Sequence, residues 1–305
     1  MVGGRRAGIG LAGLGLAAAV AVAADRPGPP PPSPDPVKTL GLVRSFDEEF
    51  DGAAVDRHRW LLEDPRLALT EHTLSSNGER QVYVEPAYLD LGIEPLSVRG
   101  GVLTITARPL SPAGRVVVRA AADLVPAPQR NAALTQIEYS SGRLSTRGKF
   151  GQLYGYFEAR LRFSPGRGIW PAFWLLPADG SWPPEIDIVE ALGHEPDKIY
   201  STVHSAHGLP AVGITAMLQP TADGFHRYGV LWGPDTVDYY IDGVKTGSVP
   251  TPVDAHKPMY AVLNLAIGGN WPGNPDAATR FPATMDVDWV RAWRFPGRAG
   301  AAARP

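Results

Sequence analysis

The chain has 305 residues, a formal net charge of −2, 20% charged residues and no cysteine. That length suits one large β domain or two small ones, and the charge balance gives no case for binding nucleic acid or an acidic membrane surface. Without cysteine, disulfides, thiolate nucleophiles and Cys-zinc sites are excluded, while 34 Gly and 31 Pro point to many short strands joined by turns.

Arg5-Arg6 precede an apolar run from Ala7 to Ala24, and Ala21-Val22-Ala23 supplies a small-residue cleavage pattern. Residues 1–24 therefore read as a secretory signal peptide and the protein as secreted or periplasmic. Left uncleaved, a run of 18 residues would be near the lower limit for a membrane anchor. Gly8 to Gly13 formally match a dinucleotide fingerprint, but no strand precedes them. Residues 25–41 form a Pro-rich linker. Within it, Arg26 to Pro36 (RPGPPPPSPDP) reads as a stiff extended tether that joins no core. A single folded domain is expected over 42–296, followed by a disordered tail at 297–305.

Inside that domain the pattern is strand and turn. Gly101 to Ala107 alternates cleanly, as does Tyr154 to Phe163 (YGYFEARLRF), with Glu158, Arg160 and Arg162 on one face. Val237 to Ile241 runs into Asp242-Gly243, a strong hairpin signal. Met285 to Trp293 closes the domain with a two-residue alternation. No long amphipathic helical pattern is evident, so the expected fold is all-β: a two-sheet sandwich of the jelly-roll kind.

The densest chemistry is Glu185-Ile186-Asp187-Ile188-Val189-Glu190, after a Trp182-Pro183-Pro184 breaker. β-Branched residues indicate a strand, where residues two apart share a face, so Glu185 and Asp187 point the same way. Glu190 stands five residues from Glu185 and would face away in a regular strand. One extra residue, a β-bulge around Ile188-Val189, returns it to the same side. The two Glu Cα atoms are then about 13 Å apart, and side chains leaning together approach the gap of about 5 Å used by retaining glycosidases. A solvated acidic stripe on an edge strand is the alternative reading.

Aromatic residues and amides cluster nearby. Trp170 and Trp174 lie in the strand before the acids, while Asn264, Asn270 and Trp271 belong to a later segment. Sugar C–H faces stack on aromatic planes and hydroxyls need polar partners, so these five are candidate substrate contacts. His204, on the next predicted strand, is a sixth, able to face the acids and bond Glu190 or substrate. Trp60, Trp232, Trp289 and Trp293 read as packing. His207 and His226 have no metal-ligand spacing, and no Ser occupies a nucleophile elbow.

On these residues the chain resembles glycoside hydrolase family 16 from about Phe46 to Trp293. The resemblance rests on EIDIVE at 185–190, YGYFEAR at 154–160, GIWPAFWLLP at 168–177, NLAIGGNWPG at 264–273 and VDWVRAW at 287–293. It implies Glu185 as nucleophile, Asp187 as its electrostatic helper and Glu190 as general acid/base, on the concave face of a bent, concanavalin A-like jelly roll with a concave substrate cleft. It also implies a structural calcium held by Asp288, with carbonyls near Glu49 and Gly101 as companions, and no catalytic cofactor. The flanking WPPEIDIVEALGHEP is similar to the branch acting on bacterial exopolysaccharides such as succinoglycan. The implied enzyme is an endo-β-glycanase cleaving β-1,3 or β-1,3-1,4 linkages. A transglycosylase and a non-catalytic carbohydrate-binding sandwich are the alternatives. A polysaccharide is the expected partner, with no nucleic acid, no integral membrane role and a monomeric state.

Overall fold

The computed structural model describes residues 35–207, 211–218 and 223–297. The expected signal peptide, most of the expected Pro-rich linker and nearly all of the expected tail lie outside the described residues. Two largely antiparallel sheets face each other. The first has seven strands in the order Ala211–Met217, Lys198–His204, Glu185–Glu190, Ile169–Pro177, Met259–Ile267, Arg143–Ser145 and Leu61–Leu62. The second runs Val244–Pro250, Thr236–Ile241, His226–Trp232, Gly155–Phe163, Ala283–Arg294, Val102–Pro109, Tyr139–Ser141 and Gln81–Tyr83. Val43–Glu48 adds to Ala283–Arg294, and Leu96–Arg99 to Val102–Pro109. This is the expected all-β jelly-roll sandwich.

Alternation along each strand divides core from surface. In Ile169–Pro177, Ile169, Phe173 and Leu175 are fully buried between the sheets, while Trp170, Trp174 and Leu176 face outward. In Met259–Ile267, Met259, Ala261, Leu263, Leu265 and Ile267 enter the same core. The four tryptophans read as packing are all buried: Trp60, Trp232, Trp289 and Trp293. Trp60 donates its indole N–H to Glu48 at 3.0 Å, satisfying a polar group that burial would otherwise penalise. The Asp242-Gly243 hairpin forms with φ of 52° and 81°, the two left-handed residues that this tight turn requires.

Two regions differ from the expectation. Pro36–Thr39 forms a single helical turn with Asp35 as cap, and Pro36 is buried, so the end of the tether is neither extended nor free of the fold. A 13-residue helix, Pro112–Leu124, stands where no helical pattern was expected. Ser111 accepts from Gly114 N at 3.0 Å, Pro112 opens the first turn, and Val125-Pro126 ends the helix. The β-branched Val116-Val117-Val118 masks this signal. Gly114, Val118 and Ala122, four apart, form its buried stripe. That stripe helps close a small second core with Leu69, Val82, Val84, Tyr88 and Leu134. The helix thereby supports the segment around Leu69–Asn77, part of which walls the cleft.

Candidate active site

The acidic strand carries an extra residue. Against Ile169–Pro177 the register pairs Asp187 with Trp174 and Glu190 with Ala172, shifting between Asp187 and Val189. Against Lys198–His204 it pairs Glu185 with His204, Asp187 with Thr202 and Glu190 with Tyr200, with the same shift. Ile186, Ile188 and Val189 all point into the core, so two adjacent residues bury on one side and Glu190 returns to the face of Glu185 and Asp187. Ser201 Oγ donates to the Ile188 carbonyl at 2.9 Å, satisfying a ladder group that the bulge frees.

That face forms the floor of a cleft of about 800 Å³, lined among others by Trp170, Trp174, Trp182, Glu185, Glu190 and His204. Trp170 Nε1 donates to Glu190 Oε1 at 2.9 Å, and Trp182 Nε1 to Glu185 Oε2 at 2.8 Å. Each Glu is therefore oriented by its own indole. His204 Nε2 lies 3.1 Å from Asp187 Oδ2 and 3.7 Å from Glu185 Oε1, yet no aligned hydrogen bond reaches Asp187 Oδ2. Among the described residues no Lys or Arg ion-pairs with any of the three acids.

Uncompensated burial decides their protonation. Burial first, then the charges of Glu185 and Glu190, hold the Asp187 carboxyl well above the usual carboxylate range. A hydrogen bond toward Glu185, which only protonated Asp187 can donate, adds to this. Burial also pushes Glu190 up to about 7, aided by the charges of Glu185 and Glu79 and opposed by the Trp170 N–H. The strand thus holds two carboxyls, Glu190 and Asp187, whose hold on a proton is strengthened by burial. The ligand atoms of Glu185, Asp187 and His204 lie within 4.8 Å of one another, but a proton held on Asp187 opposes metal ligation there.

The other sequence candidates separate. Trp170, Trp174 and His204 line the cleft; His204 faces Glu185 and Asp187 rather than Glu190, because its strand position is opposite Glu185. Trp271, 42% exposed, stands at the rim edge-on to Trp170 and Tyr200. Asn264 is not at the surface: it is 5% exposed and its amide is engaged by Trp174 and Tyr83. Asn270 lies outside the cleft lining, because its backbone N–H bonds Asn77 O at 2.7 Å and its side chain turns to Ser76. Trp182, Tyr260 and Arg147 also line the cleft and were not singled out in the sequence. Trp182, an indole directly before Pro183-Pro184 and three residues before Glu185, was legible only as a breaker.

Asp288 sits on the opposite sheet, where Oδ2 accepts from Arg160 Nη1 at 2.9 Å. Glu49 is engaged by Arg291 at 2.7 Å. A calcium ion needs six to eight oxygens without a competing cation. A guanidinium already neutralises Asp288, and no group of three or more acidic or imidazole ligands forms around it among the described residues. With its carboxylate so engaged, Asp288 is a poor fit to a resident divalent cation.

Comparison with known proteins agrees with this geometry. The family model for glycosyl hydrolases family 16 matches residues 115–291. The endo-1,3-1,4-beta-glycanase ExsH of Rhizobium meliloti (strain 1021) is 41% identical over 223 residues, covering 72% of this chain and 44% of the relative. The chain therefore spans less than half the length of that relative. The beta-glucanase of Rhodothermus marinus is 34% identical over 236 residues, 68% of this chain and 73% of the relative. Among solved structures, the endo-beta-1,3-glucanase from Pyrococcus furiosus superposes with a TM-score of 0.67 at 32% identity, covering 83% of this chain and 95% of that one.

Proposed function

The chain belongs to glycosyl hydrolases family 16, and from that premise we propose that it is a secreted endo-β-glycanase that retains anomeric configuration. The observation that carries this reading is the bulge placing Glu185 and Glu190 on one cleft face. Glu185 attacks the anomeric carbon while Glu190, still protonated near neutrality, delivers its proton to the departing glycosidic oxygen. Glu190, now a carboxylate, then takes a proton from the water that releases the sugar from Glu185. Asp187, which keeps a proton bridged toward Glu185, balances charge as Glu185 bonds to and leaves the sugar. Trp182 orients one oxygen of the nucleophile.

The substrate is a β-1,3- or β-1,3-1,4-linked glucan or a related bacterial exopolysaccharide. Several aromatic planes in an open trough suit a long chain bound along its length, and the names of the relatives given above support that class. No feature of the cleft favours a sugar over water as acceptor. Export rests on the Arg5-Arg6 and Ala7–Ala24 pattern; no helix among the described residues is long and apolar enough to cross a membrane. Incubation with laminarin, lichenan and succinoglycan, followed by reducing-end assay and product sizing, tests the reading. Internal cleavage of at least one is expected, and no release from any of the three would refute it.

A further inference from the structure

Below the cleft surface lies a buried acid that touches none of the three catalytic carboxyls and reaches Glu190 only through its charge. Glu79 is 2% exposed and gathers donors from two directions. From the cleft wall come Asn77 Nδ2 at 3.2 Å and the Leu74 N–H at 3.4 Å, and both residues line the cleft. From below come Gln81 Nε2 and the Tyr83 hydroxyl, the latter at 3.4 Å. The chain of contacts continues upward on the far side. Tyr83 Oη accepts from Asn264 Nδ2 at 3.0 Å, and Asn264 Oδ1 accepts from Trp174 Nε1 at 2.7 Å. Tyr83 is fully buried and Asn264 nearly so, so solvent cannot replace these partners if one is removed.

We propose that Glu79 is a positioning residue that locks the Leu74–Asn77 wall to the Trp174 floor through Tyr83 and Asn264, fixing the width of the sugar-binding trough. The arrangement uses a carboxylate specifically, because all four groups aimed at it are donors and only an acid offers acceptor oxygens on both sides. Leu74, Gln81 and Tyr83 converge on Oε2 and Asn77 alone reaches Oε1, so glutamine would turn an amide N–H either on Asn77 or on the other three donors and loosen the tie in both orientations. Trp174 would then lose the fixed partner of its indole, while Glu185, Asp187 and Glu190 keep their own contacts to Trp182, His204 and Trp170. The consequence falls on sugar binding rather than on bond cleavage.

This inference rests on the glycanase reading for its kinetic readout, so the test has a second arm that needs no turnover. In the full chain, Glu79→Gln and the milder Tyr83→Phe are compared with wild type by nitrogen-resolved NMR of the indole N–H groups and by kinetics on a polysaccharide the wild type cleaves. Both variants should shift the Trp174 indole resonance and speed its hydrogen exchange about tenfold, with the Trp170 and Trp182 resonances unmoved. Tyr83→Phe, which keeps the Glu79 charge that acts on Glu190, should raise KM about five- to tenfold with kcat within about twofold of wild type. An unmoved Trp174 resonance in folded Tyr83→Phe overturns the proposal, as does a loss confined to kcat. A wild type inactive on every polysaccharide counts against the glycanase reading alone, because the indole arm still decides this one.

Discussion

Two strands of this protein alternate acids with apolar residues, and their fates are opposite. In Ala283–Arg294, Asp286 lies across from Arg162 and from Thr104, and accepts from both at 3.0 and 2.8 Å. Asp288 is held by Arg160. In Glu185–Glu190 the residues across the ladder are His204, Thr202, Tyr200, Trp174 and Ala172, and no Lys or Arg pairs with the acids. Cross-strand neighbours therefore decide whether an acidic strand is a quiet, paired surface or a set of carboxyls with raised proton affinity. The cleft keeps an electrostatic cost that the other sheet has cancelled, and such uncancelled cost marks a site of chemistry.

The contrast can be broken most severely at Glu185. Glu185→Ala should lower turnover by about a thousandfold or more, and azide should restore it by entering the vacated space and giving an α-glycosyl azide. Unchanged turnover would return the strand to the category of decorated surface. Glu190→Gln should lower kcat by about a hundred- to ten-thousandfold on unactivated glycosides. The wild type should lose kcat/KM as pH rises through about 7, because the acid must be protonated; Glu190→Gln should lack that limb, and a leaving group that needs no proton should restore its glycosylation step.

The same group carries a stability signature of defined sign. Its folded-state pKa is raised, so the native state binds the proton more tightly than the unfolded chain. Stability is then present below the unfolded carboxyl value and is lost as pH climbs toward about 7. At pH 8, Glu190→Gln should therefore be more stable than wild type by about 3 kcal/mol in urea unfolding, and the gain should vanish near pH 4. The smallest effect belongs to the paired sheet. Arg160→Ala removes a guanidinium from two partly exposed acids and should cost at most about 1 kcal/mol, with turnover within about twofold of wild type. A large activity loss there would show that the two strands are not as separate as their pairings indicate.

Much of the site was legible because strand geometry has a strict period. The odd spacing of Glu190 forces a bulge once all three acids are asked to share a face, and the register shows it between Asp187 and Glu190. His204 was placed on the right face but assigned the wrong acid, since its partner depends on register, which composition does not reveal. Asn264 and Asn270 look alike in sequence and diverge in space: one is buried beneath Trp174, the other ties a turn to the wall. Their roles depend on a segment around Leu74–Asn77 that pairs with nothing predictable from local pattern. The Pro112–Leu124 helix was missed because three consecutive valines outweigh a Ser-Pro start signal on a short amphipathic stripe.

The central claim is that Glu185 and Glu190 act from one face by double displacement. Proton NMR of the first product formed from a soluble β-glucan, recorded before mutarotation, tests it most directly. Retention requires the newly released reducing end to appear as the β-anomer and to decay toward equilibrium with the α-anomer. Initial appearance of the α-anomer would mean direct attack by water, and would contradict the assignment of Glu185 as nucleophile.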